Sequence, residues 1–112
     1  MSIPVELGEL PDQVSRLGPN ALLVTNSSEG PPRVASVLVT CEGDVLTMGA
    51  GRKTHANLAT NPAMTLVWPA VDGKHCLIVD GTAEAGSDDS VRMRPTSAIL
   101  HRLARAANET SS

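Results

Sequence analysis

Short apolar runs of strand length recur along this chain, each bounded by turn-forming residues. ALLVT, from Ala21 to Thr25, reads as a buried first strand that follows the stop at Gly18-Pro19-Asn20. The tract from Asn26 to Pro32 is a loop, and Arg33 to Thr40, with three valines, is the second strand. Glu42-Gly43-Asp44 makes a hairpin into a third strand, Asp44 to Met48. A helical pattern spans Thr54 to Thr60 and is stopped by Asn61-Pro62. AMTLVW, from Ala63 to Trp68, is a fourth strand, and PAVDGK turns the chain into a long fifth, His75 to Ala85, with Gly81 as a bulge. After the polar stretch Gly86 to Ser90, a sixth strand is expected from Val91 to about Leu100. A helix over residues 98–107 is the alternative, and the polar end, about 104–112, is expected to fray.

Ahead of these strands, Val5, Leu7, Leu10, Val14 and Leu17 recur at spacings of mostly three or four. The spacing predicts an amphipathic helix over about 4–17 that Pro11 interrupts or restarts. Strands joined mainly by hairpins, with one short helix between the third and fourth, predict a mainly β fold. The expectation is a small antiparallel barrel of about six strands, with an N-terminal helix and one short inserted helix, in a single domain over 1–112.

Composition narrows the function. The chain is 41% hydrophobic, but Trp68 is its only aromatic residue, so the core must come from Val, Leu, Ile, Ala and Met. Base stacking has almost nothing to work with, and a net charge of -3 offers no basic face for phosphate backbones; no nucleic-acid partner is expected. Arg92, Arg94, Arg102 and Arg105 read as solvated. Without a basic leader or a long apolar run, the chain is expected to be cytoplasmic, with no membrane partner. Cys41 and Cys76 lack metal-ligand spacing and read as reduced structural cysteines, and no metal is expected; His55, His75 and His101 are scattered, although folding can bring any two together.

The most concentrated chemistry lies in TMGAGRKTHANLATNP, from Thr47 to Pro62. Gly49 and Gly51 allow a sharp turn and a close approach of a ligand to the main chain. Arg52, Lys53 and Thr54 then stand at the start of the helix, where free N–H groups and the positive end of the peptide dipoles favour an anion, best of all phosphate.

ALLVTNSSEGPPRVASV, a glycine-containing hairpin, GAGRKTHANLATNP and MTLVW, in this order, resemble the pyridoxamine 5'-phosphate oxidase-like family, the FMN-binding split barrels. The resemblance runs from about Asn20 to Arg102, and VRMRPTSAILHR looks like the closing strand of small members. It implies a short split-barrel homodimer with FMN, or a deazaflavin in related branches, in a groove between subunits. Arg52 and Lys53 stand where the family holds the cofactor phosphate, and Thr54 would add a hydroxyl. Two departures separate this chain from the oxidases proper. The strand beginning at Arg33 continues without the second basic residue, and His101-Arg102 reverses the order of the Arg-x-His substrate motif. Pyridoxine-phosphate oxidation is therefore not implied.

Around a bound flavin, Ser36, Thr47, Met48 and Gly49 are the further candidate contacts, each equally readable as strand surface or turn. Trp68 reads as a core or interface anchor, and His55 as an exposed helix residue. The chemistry expected is an oxidoreductase acting on a small organic substrate with FMN or a deazaflavin. The competing expectations are a non-catalytic cofactor carrier and a dimer with no cofactor. Continuous apolar runs at Val34 to Val39 and Leu77 to Val79 exceed what a solvent-facing sheet requires, which again predicts a homodimer.

Overall fold

Side chains alternate between the two faces of each strand. A computed structural model describes residues 2–27, 29–70, 73–84 and 89–102. Its strands are β1 Ser2–Pro4, β2 Asn20–Thr25, β3 Arg33–Glu42, β4 Val45–Gly49, β5 Ala63–Trp68, β6 His75–Glu84 and β7 Ser90–Arg102. Two helices, α1 Leu10–Leu17 and α2 Arg52–Thr60, complete it. Leu23, Leu66, Leu77, Val79 and Met93 point inward and are almost wholly buried, while their sequence neighbours face outward. Each such side chain contributes about 1.5 to 3 kcal/mol of burial, and together they replace the missing aromatics. Trp68 joins this core, its indole N–H donating to the carbonyl of Gly18 at 2.9 Å.

The strands run antiparallel in the order β7-β4-β3-β2-β5-β6, and β6 pairs back onto β7 to close a six-stranded barrel. The seventh strand, β1, lies outside this circuit and adds to the far end of β7, pairing Ser2 with His101. β7 closes the barrel because it is long: residues 90–93 pair with β4 and residues 92–102 with β6. The sixth strand therefore runs through Arg102, and residues 98–102 are strand and not helix. The tail from 103 lies outside the described residues. The bulge expected at Gly81 is there as a register shift between Asp80 and Gly81. A Cβ at Gly81 would stand 2.5 Å from the Arg94 carbonyl oxygen and 2.8 Å from the Met93 methyl, so the bend leaves room for hydrogen only.

The single helix expected over 4–17 is corrected. Residues 2–4 are strand, Leu7–Glu9 forms a 3-10 turn, and α1 starts only at Leu10. Pro11 explains the start: without an N–H it fits only the first turn of a helix. Leu10 and Val14 carry the amphipathic face into the core, whereas Val5 reaches the core from extended backbone whose N–H donates to the Ala98 carbonyl at 2.9 Å. No described helix is long and apolar enough to cross a membrane.

Candidate functional site

β4 ends at Gly49, opposite Ser90 of β7, and the next residue is tied down by an Ala50 N–H to Asp89 carbonyl bond of 3.2 Å. α2 then begins at Arg52 with Gly51 as its N-cap, and no side chain caps it. The first intrahelical bond of this turn runs from the His55 N–H to the Gly51 carbonyl at 3.1 Å. The N–H groups of Arg52, Lys53 and Thr54 precede that bond and have no intrahelical acceptor, which is the arrangement that receives an anion. Arg52 and Lys53 are exposed, and neither pairs with a carboxylate among the described residues.

The helix is held in place from behind. Leu58 packs into the core, and the Asn57 amide donates to the hydroxyl of fully buried Thr25 at 3.2 Å. Its far end closes with the Asn61 N–H on the Asn57 carbonyl at 2.8 Å, while the Asn61 side chain accepts the Ala63 N–H at 3.1 Å and leads into β5. The turn is thus mounted on two strands and a packed helix, which fixes where its N–H groups point.

Two of the candidate contacts have buried side chains. Thr54 is only 2% exposed, so its hydroxyl is withdrawn from the open turn and what it offers an anion is its N–H. Met48 is 3% exposed, with its side chain in the core; only its main chain can meet a ligand. Both positions face inward for the same reason: a helix start and a strand end must each bury one side against the barrel. Ser36, Thr47 and Gly49 do lie on the outward face of adjoining strands, with the Thr47 hydroxyl donating to the Thr40 carbonyl at 3.4 Å. Beside them stands a residue that the sequence did not single out. Leu38 is 65% exposed and precedes Val39, whose antiparallel partner is Met48, so it sits next to Gly49. An apolar residue at an outward β3 position was the available signal.

His55, expected to be exposed, is half-buried, and its Nε2 is enclosed without a hydrogen-bond partner among the described residues. An enclosed ring nitrogen one turn into α2 calls for a polar partner from outside the chain or a ring that turns.

The glycines carry the sharpest information. Gly49 and Gly51 were expected to permit a sharp turn, yet neither has positive φ, and Gly51 is extended at φ -78°. Nor is either crowded: a Cβ on each would meet nothing within 4 Å. A Cβ is accommodated at these two positions, unlike at Gly81. What remains is the second use of glycine, a bare main chain that a ligand can approach. Gly49→Ala is therefore expected to leave stability within about 0.5 kcal/mol of wild type. Gly81→Ala should lose about 1 to 3 kcal/mol by overpacking. Paired thermal melts check both, and a clear loss of stability in Gly49→Ala would return that glycine to a structural role.

The outer face continues away from the turn as an apolar surface. Register places Ile78, Val67 and Leu22 in one row ending at Ser36, and Thr65, Val24 and Val34 in the next. Val34 is 58% exposed. A cavity of about 380 Å³ lies elsewhere, between the Leu7–Pro11 segment and the β3–β4 hairpin, with Cys41, Asp44 and Leu46 in its wall. It sits at the opposite end of β4 from Gly49 and is separate from the anion turn.

A closed antiparallel barrel with an inserted helix between its third and fourth barrel strands is the architecture of the split barrels. No family model and no curated protein matches the chain. Solved structures do. An FAD-binding protein from Mycobacterium smegmatis is 16% identical with a TM-score of 0.66, over 93% of this chain and 100% of its own. A protein related to general stress protein 26, of the pyridoxinephosphate oxidase family, from Clostridium acetobutylicum is 13% identical with a TM-score of 0.65, over 88% and 91%. An F420 reductase is 19% identical with a TM-score of 0.53, over 76% and 86%. The chain has the fold of the pyridoxamine 5'-phosphate oxidase-like split barrels.

Proposed function

We propose that this chain is a flavin- or deazaflavin-dependent oxidoreductase of a small organic substrate, with the cofactor phosphate held at the start of α2. The observation that carries the proposal is the pair Gly49 and Gly51, which have neither positive φ nor a crowding contact among the described residues, beside a helix start without a side-chain cap and two cations that are unpaired among the described residues. Barrels of the same fold described as FAD-binding and as an F420 reductase support the choice of cofactor class. FMN is the member of that class expected from the Arg-Lys turn, which receives a terminal phosphate directly.

In this proposal the guanidinium of Arg52 and the ammonium of Lys53 neutralise the phosphate, and the main-chain N–H groups of residues 52–54 orient its oxygens. Gly49 and Leu38 provide a bare edge and an apolar bed beside it, with Ser36 and Thr47 as polar contacts on the same outward face. The bound flavin or deazaflavin supplies the hydride or electron chemistry. This surface is open on one subunit. A second copy packed on the apolar face around Val34 and Val67 would turn it into a groove and exclude water, so we assign a homodimer as the working form.

Titration of the purified protein with FMN, FAD and F420, followed by cofactor fluorescence, tests the proposal. One of them should saturate at one per chain, and addition of a reduced nicotinamide with candidate acceptors should then turn over. Saturation without turnover for any donor would leave a carrier, and no binding of any cofactor would overturn the proposal.

A further inference from the structure

Three polar side chains share one outward row at the other end of β7. Ladder register sets His101 opposite Cys76 of β6 on one side and opposite Ser2 of β1 on the other. Leu77 is fully buried, so Cys76 faces outward beside it, and direct cross-strand partners bring their Cβ atoms to about 4.5 to 5.5 Å. The Ser2 hydroxyl and His101 Nδ1 are hydrogen bonded at 3.1 Å. β1 and β6 flank β7 on opposite sides at this position, so His101 lies between Ser2 and Cys76 along the row. In the tautomer whose Nδ1 donates to the serine, Nε2 holds the lone pair. The sequence around the row is cationic, with Lys74 before it and Arg102 after it, the latter opposite His75. His101 is eleven residues along β7 from Ser90, about 36 Å of strand from the anion turn.

We infer that Cys76 is a reactive thiol that exchanges with anionic low-molecular-weight disulfides, with His101 as its base and Ser2 as the residue that positions His101. His101 Nε2 takes the thiol proton, and the Cys76 sulfur attacks one sulfur of the disulfide. That S–S bond breaks as the new one to Cys76 forms, and the departing half leaves as a thiolate that recovers the proton from the imidazolium. One disulfide is consumed and one mixed disulfide formed, so no further oxidant is needed. Arg102, exposed at the end of β7, favours the approach of a negatively charged reagent. The other cysteine provides an internal contrast: burial pushes the Cys41 thiol above its ordinary value, which keeps it protonated and slow.

The experiment uses the full chain and 5,5'-dithiobis(2-nitrobenzoate), a dianionic disulfide, with no cofactor added. It therefore succeeds or fails independently of flavin binding. One equivalent should react fast, persist in Cys41→Ser and vanish in Cys76→Ser. His101→Gln should slow that equivalent at least about tenfold near pH 7 and change the shape of the pH–rate profile. Ser2→Ala should slow it less. Ser2 and His101 are exposed, so these variants keep the core, and circular dichroism checks that they do. Neutral 2-hydroxyethyl disulfide should react more slowly, with the gap narrowing at high salt. A fast equivalent that survives Cys76→Ser, or an unchanged pH profile in His101→Gln, would overturn the inference. So would equal rates for neutral and anionic disulfides.

Discussion

Alanine at both Arg52 and Lys53 is expected to lower the affinity for FMN at least about a hundredfold and leave the fold untouched. A hydrogen bond to a charged group is worth about 1.5 to 3 kcal/mol, so losing two removes about 3 to 6 kcal/mol, or two to four orders of magnitude in Kd. Both side chains are exposed and form no ion pair among the described residues, so nothing in the packing suffers when they are cut back. Riboflavin, which lacks the phosphate, should bind wild type at least as weakly as FMN binds the double variant, because it loses the main-chain N–H contacts together with those of the two side chains. The single substitutions should sum to more or less than the pair, since two cations on one phosphate are coupled. Fluorescence titrations alongside thermal melts make the measurement. Unchanged FMN affinity in the double variant would move the phosphate away from α2.

The second large effect concerns assembly. Wild type is expected to sediment as a dimer at micromolar concentration, with a melting temperature that rises with protein concentration. Val34→Asp should weaken the dimer at least about a hundredfold, because a carboxylate placed in an apolar interface must be desolvated or protonated. Val34 is 58% exposed on the single chain, so the same substitution costs the subunit's own fold little. The variant should therefore be a folded monomer, and its cofactor affinity should fall with its association. Sedimentation equilibrium of both proteins decides it; a folded, monodisperse wild-type monomer would remove the dimer and the shared groove together.

Barrel strands and their boundaries were legible because they rest on local preferences. Short apolar runs such as ALLVT and AMTLVW, and turn formers at Gly43 and Gly73 with positive φ, act within a few residues of themselves. The Arg-Lys turn was legible for the same reason: Asn61-Pro62 ends α2 locally, and the two cations sit before it in sequence. The N-terminal segment shows where local patterning stops. Its apolar spacing suited a helix, but Ser2–Pro4 became strand because β7 offers it an edge almost a hundred residues later in the chain.

Sequence alone thus determined which segments extend, which turn and where positive charge meets a helix start, since each follows from the conformational preferences of neighbouring residues. Only closure of β6 onto β7 decided which side of every strand faces in, because register, once fixed by that long-range pairing, assigns each residue to one face. Closure buried Met48, left Leu38 and Val34 in the open, and aligned Ser2, His101 and Cys76 across three strands. Packing of α2 against the barrel, in turn, hid the Thr54 hydroxyl while leaving Arg52 and Lys53 outside. The glycines divide along the same line: their positions are sequence, but the crowding at Gly81 and the empty space over Gly49 and Gly51 exist only once distant strands have met.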